Sequence, residues 1–229
     1  MRTKLTISFV AVAVFTPAVA HAHVSIASGP AFANVTQEVT FGVGHGCEGA
    51  DTLAVEVEIP EGVTSIRPLT SDFGQIDLTT DAAGLIVMVS WTKPEADVIE
   101  ADTQYYKLVV RMKPPEQPFS TLFFPARQTC RAADGTISVV DWVGMDEAET
   151  DVEPAPALYL IPQRFPGWNG WTVAEDVADL SPFFGDAEIV WSGNAAFSVN
   201  PTTTELIAST DGVTALESLA SGDEIWARY

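Results

Sequence analysis

Thr52-Leu-Ala-Val-Glu-Val-Glu-Ile59 carries the pattern on which the fold turns. Leu53, Val55, Val57 and Ile59 alternate with Ala54, Glu56 and Glu58, which is the period of a strand with one face buried and the other in water. Pro60-Glu-Gly62 then turns the chain. Outward from this strand the same texture recurs at Glu38 to Val43, Gly74 to Thr79, Leu85 to Trp91, Tyr105 to Met112, Ser120 to Pro125 and Thr136 to Trp142, with Gly, Pro or Asp clusters between. Short strands with no convincing amphipathic helix among them predict a mainly β fold, an antiparallel β-sandwich of the immunoglobulin or cupredoxin kind.

The texture changes after Trp142. Met145 to Pro156 is acidic, holds two prolines and offers almost nothing to bury, so residues 146–157 read as a linker and 23–145 as the sandwich. The tail, 158–229, carries four of the six tryptophans, Trp168, Trp171, Trp191 and Trp226, together with Phe183, Phe184 and Phe197. Short helices are expected at Ala174 to Leu180, Thr203 to Ser209 and Ala215 to Leu219, and strands at Glu188 to Trp191 and Glu224 to Tyr229. This predicts a small α+β domain whose aromatics mostly anchor its core, since a unit of that size needs large side chains to bury enough area.

At the other end, Arg2 and Lys4 precede a mostly apolar, uncharged run from Leu5 to Val14, and small residues lie between Pro17 and Ala22. Residues 1–22 therefore read as a secretory signal peptide, too short to span a membrane. No later run is long and apolar enough to span one. Export to a periplasm or cell envelope is the expectation. Cleavage after Ala22 frees His23; cleavage after Ala20 fits the same small-residue rule and frees His21 instead.

The net charge is −20, and removing Arg2 and Lys4 with the leader takes it to −22. Nucleic acid and anionic lipid surfaces are poor partners for such a chain, and cations are its natural counterpart. The only cysteines are Cys47 and Cys130. In an oxidising compartment a disulfide between them is the default, restricting the unfolded chain by about 4 to 5 kcal/mol on the entropy model. The alternative is Cys47 as a thiolate ligand for copper(I), two residues after His45.

A mature chain beginning at His23 has two histidines, His23 and His45. An N-terminal histidine offers its α-amine and its imidazole, and a second imidazole completes three nitrogens, a donor set that copper(II) favours. His45 sits in Val43-Gly44-His45-Gly46-Cys47, where the flanking glycines permit tight turns and a disulfide at Cys47 would fix the loop. Among recognised catalytic signatures, no Ser-His-Asp set, phosphate-cradling loop or four-ligand zinc spacing stands out.

Taken in order, His23-Val24, Val43-Gly-His-Gly-Cys47-Glu-Gly-Ala-Asp-Thr52, Val57-Glu-Ile-Pro-Glu-Gly-Val63, Gln128-Thr-Cys130 and Gly135 through Asp141-Trp142 resemble the YcnI-like copper-binding family over about residues 23–145. The resemblance implies an exported β-sandwich associated with copper-handling operons. It also implies a histidine brace built on the terminal histidine, with a glutamate ligand and a tryptophan near the metal. By position these are His23 and Trp142. The glutamate's segment holds His45-Gly-Cys47-Glu48 here, so its role passes to His45, then Glu48, then Glu56 or Glu58. In the tail, Gly167-Trp-Asn169, Ile189-Val-Trp191, Leu216-Glu-Ser-Leu219 and Gly222-Asp-Glu-Ile-Trp226 resemble small GWN-type modules of bacterial exported proteins.

The expected function is non-enzymatic copper(II) binding in the envelope, for storage, delivery or homeostasis, with a copper-donating or copper-accepting protein as partner. Two alternatives stand beside it. One is a copper monooxygenase acting on polysaccharide, which has a similar ligand set. The other is a metal-free adhesion or scaffold protein docking through its aromatic tail.

Overall fold

The computed structural model describes residues 23–101, 103–145 and 151–229, and of Glu48 the backbone alone. The leader expected over 1–22 lies outside the described residues. The rest of the first module is a sandwich of two sheets. One sheet runs in the order Val24–Ile26, Gln37–Val43, Tyr106–Lys113, Thr64–Pro68, and the other in the order Glu153–Pro154, Ile137–Gly144, Ala126–Arg131, Asp51–Glu58, Ile86–Thr92, Gln75–Thr80. Every neighbour is antiparallel except the short Glu153–Pro154 pairing. The inward residues of alternating strands, among them Val39, Phe41, Val55, Val57, Trp91 and Leu108, form one core between the sheets. All seven runs expected from alternation are strands, each within a few residues of its expected ends.

The deciding strand differs in one respect. Its register against Ala126–Arg131 shifts between Thr129 and Cys130, so Ala54 faces Thr129 while Thr52 faces Cys130. This bulge turns Asp51 and Thr52 into the interior, where Leu53 was expected. The buried Asp51 carboxylate is matched by Lys93 Nζ at 2.7 Å, the Tyr106 hydroxyl at 2.8 Å and the Ile99 N–H at 2.9 Å. Cys47 and Cys130 form a disulfide with Cα atoms 5.7 Å apart. Cysteines joined in that way supply no thiolate, so the copper(I) alternative for Cys47 falls.

The sandwich reaches further along the chain than its composition suggests. Of the segment expected as a linker, 146–150 lie outside the described residues, but Glu153–Pro154 pairs with Ile137–Gly144. Ala157–Ile161 joins Ala31–Phe32 and Thr121–Phe123 in a third sheet, and Leu158 and Leu160 enter the sandwich core. Phe119, at φ 69°, crosses to the second core, its ring 5.5 Å from Phe184 and 6.0 Å from Trp171.

The second module is a five-stranded sheet in the order Trp168–Thr172, Glu224–Arg228, Ile189–Ser192, Ala195–Phe197, Thr214–Ala215. Of the three helices expected, one forms, Pro201–Ser209. Asn200 starts it by accepting from the Thr202 and Thr203 N–H groups, and Pro201 fills the first position. The segments 174–180 and 215–219 are not helices; Val177 and Leu219 exchange backbone hydrogen bonds of 2.8 and 2.9 Å instead. Helices so short gain few internal bonds against the cost of nucleation, and pairing buries both side chains in the same core. A short unpredicted helix, Ser181–Phe184, buries Phe183 and Phe184.

Candidate metal centre

One edge of the sandwich brings together three of the residues singled out in the sequence, His23, Trp142 and the loop of His45. Val24 is buried and pairs with Val43, so the next register step sets His23 opposite Gly44, one residue from His45. The His23 side chain is at the surface, but its ring stands 5.4 Å from the Trp142 ring, tilted by 57°. Trp142 is 1% exposed on the inward side of Ile137–Gly144, and its buried indole Nε1 has no hydrogen-bond partner among the described residues. The tryptophan is thus both a core residue and the ring against which the His23 imidazole stands.

His45 is half-buried, and the loop that carries it is held from three directions. The Gln128 amide donates to the His45 carbonyl at 2.9 Å and to Thr52 Oγ1 at 2.9 Å. The Cys47 N–H donates to Cys130 Sγ at 2.8 Å, and the disulfide closes the same segment onto Ala126–Arg131. The third restraint is the ring itself, with Nδ1 3.0 Å from the Gly46 carbonyl. A carbonyl only accepts, so in this bond Nδ1 is the donor, and in the neutral ring Nε2 is the nitrogen left to accept or to ligate. Gln128 pairs with Val140, two residues before Trp142 on the inward face, which keeps the His45 loop at the edge where His23 meets the indole.

The carboxylates divide differently. Glu48 lies in the Cys47–Gly49 turn, and its side chain is outside the described residues. Glu56 and Glu58 point to the outer face of the sheet, away from the Trp142 indole, and line a shallow pocket of about 370 Å³ with Arg127 and Asp141. There Arg127 holds Asp141 through bonds of 2.7 and 3.2 Å, drawing the Asp141 carboxyl below its usual range while the guanidinium is raised. Neither glutamate joins the histidines. Among the described residues no three His, Cys, Asp or Glu side chains converge in a metal-holding group. The nitrogen donors that the described residues offer at this edge are therefore the His23 and His45 imidazoles. Imidazole nitrogen is a donor suited to several divalent transition metals, copper(II) among them.

Sequence reasoning missed Gln128, although its place in Gln128-Thr-Cys130 held the signal. Two residues before a disulfide cysteine on one strand, it faces the same interior.

No curated protein matches the chain. An uncharacterized protein from Nocardia farcinica, described as having an immunoglobulin-like fold, is 30% identical with a TM-score of 0.48, over 60% of this chain and 97% of that one. The major pilin subunit BcpA of Bacillus cereus is 8% identical with a TM-score of 0.36, over 87% of this chain and 52% of that one. A family model described as a domain of unknown function, DUF1775, matches residues 23–160. With more than half its length matched, the chain belongs to the DUF1775 family, the one that the YcnI-like resemblance names.

Proposed function

We propose that this is an exported copper(II)-binding protein of the cell envelope, holding the ion at its mature N-terminus for storage, delivery or homeostasis. The observation that carries the reading is the His23 ring set against the buried Trp142, with the Nε2 lone pair of His45 presented on the adjoining loop. His23 supplies amine and ring, and His45 a second ring. Bound there, copper(II) would be held by nitrogen without a thiolate. Trp142 covers one side and keeps water from it, which favours retention of the ion over an open position for oxygen. Gln128 and the disulfide fix the His45 loop beforehand, so little ordering is left to the binding step.

Because protons compete for imidazole and amine, binding weakens as the solution is made acidic. The test is a copper(II) titration of chelator-stripped mature protein, with its first residue identified by mass spectrometry. The expected result is His23 first, one copper per chain, and loss of tight binding in His23→Ala. A chain that starts elsewhere, or His23→Ala binding as wild type does, refutes the reading.

A further inference from the structure

The copper reading leaves the outward face of the second module's sheet unused. Strand parity points Trp168, Gly170 and Thr172 outward from the edge strand and Glu224, Trp226 and Arg228 from its neighbour, Arg228 opposite Trp168; Trp191 follows on the next strand. The register lays Gly170, Trp226 and Trp191 in one row. Trp226 lies flat in that row. A Cβ added at Gly170 would stand 3.2–3.3 Å from three carbons of its six-membered ring, so one indole face rests on the Gly170 backbone. The side chain is nevertheless 56% exposed, and Trp168 beside it is 52% exposed. Thr172, Glu224 and Trp226 border a shallow pocket of about 310 Å³ on this face.

Charge decides what fits there. Between Leu158 and Tyr229 there are ten Asp and Glu residues against two Arg. Both arginines are engaged, Arg164 with Asp186 and Arg228 with Glu188. The Glu224 carboxylate has no ion pair among the described residues. A neutral partner lying on Trp226 would strip water from that carboxylate and return nothing for it, whereas a cation would offset the loss. The exposed indole face attracts the same charge.

We propose that this shelf binds an arginine or lysine side chain in a basic segment of a partner protein. The cation stacks on Trp226 and Glu224 takes its charge. Arginine suits the shelf better, because its planar guanidinium stacks on the ring and still presents N–H donors to the carboxylate.

The experiment titrates the mature full chain with an acetylated (Gly-Arg)3 amide peptide, following the indole N–H signals by NMR. Saturable binding that moves the Trp226 signal is expected. Trp226→Ala leaves the charge unchanged and should weaken binding about ten-fold, Glu224→Gln should weaken it several-fold, and Trp226→Tyr, which restores a flat ring, should recover most of it. Trp226 lies outside the core, and circular dichroism of Trp226→Ala confirms that the variant folds. Equal affinity of Trp226→Ala would reduce the effect to general attraction by an acidic chain and overturn the proposal. So would absence of binding, or saturable binding of cellohexaose or chitohexaose that depends on Trp226 while the peptide fails.

Discussion

Two pairs of tryptophans, one pair in each module, are used in opposite ways. In the sandwich, Trp91 and Trp142 sit on inward positions of strands covered by a second sheet, and both are buried. In the tail, Trp168 and Trp226 sit on outward positions of a sheet whose other face carries the core, and each is more than half exposed. Residue type is the same; parity and the presence of a covering layer differ. A buried tryptophan beneath an exposed imidazole fills the core and backs that ring, whereas an exposed one lying flat on glycine turns a ring face to solvent.

Stability measurements test that contrast, and the largest effect separates the tryptophans. Trp142→Ala opens a cavity in the sandwich core and should cost about 3–5 kcal/mol in denaturant unfolding. Trp226→Ala should stay within about 0.5 kcal/mol. Similar losses from the two would erase the distinction. The disulfide comes next. Replacing Cys47 and Cys130 together by serine should cost about 2–4 kcal/mol and loosen the His45 loop, seen as faster amide exchange at Gly44 and Gly46 than elsewhere in the sandwich.

In the second module Asn200→Ala removes the start of Pro201–Ser209 and should cost about 1 kcal/mol, with the sandwich's exchange unchanged. The smallest effect is that of Asp141. Arg127 holds its carboxyl below the ordinary range, so the pair's contribution is present above the unfolded carboxylate pKa and is lost as pH falls through the lowered folded value. Both side chains are near half exposed, so Asp141→Asn should shift the midpoint only slightly at neutral pH, less still in high salt.

Much of the sandwich was legible because alternation reports burial directly, and Val55 and Val57 lie where their period puts them. The Ala126–Arg131 strand escaped notice because its inward residues are Ala126, Gln128 and Cys130, none of them β-branched or aromatic. Ala157–Ile161 was hidden behind an acidic, proline-bearing stretch that resembles a linker until its partners are known. In the tail, the spacing of Leu216 and Leu219 suits a helix as well as an irregular pair, and only the contact with Val177 decides between them. At the candidate site, His23, His45 and Trp142 were each visible and alternation set Glu56 and Glu58 on the outer face, but not that the Trp142 indole lies on the opposite face from them, nor that Gln128 supports the loop. Those facts depend on strand pairing across more than 70 residues.

The most direct test of the account is copper(II) electron paramagnetic resonance of the mature protein, with nitrogen couplings compared between wild type, His23→Ala and His45→Ala. Wild type should show a planar site of three nitrogens, His45→Ala should lose one coupling, and His23→Ala should give only loosely bound copper. An oxygen-dominated spectrum, or one indifferent to both histidines, would contradict it.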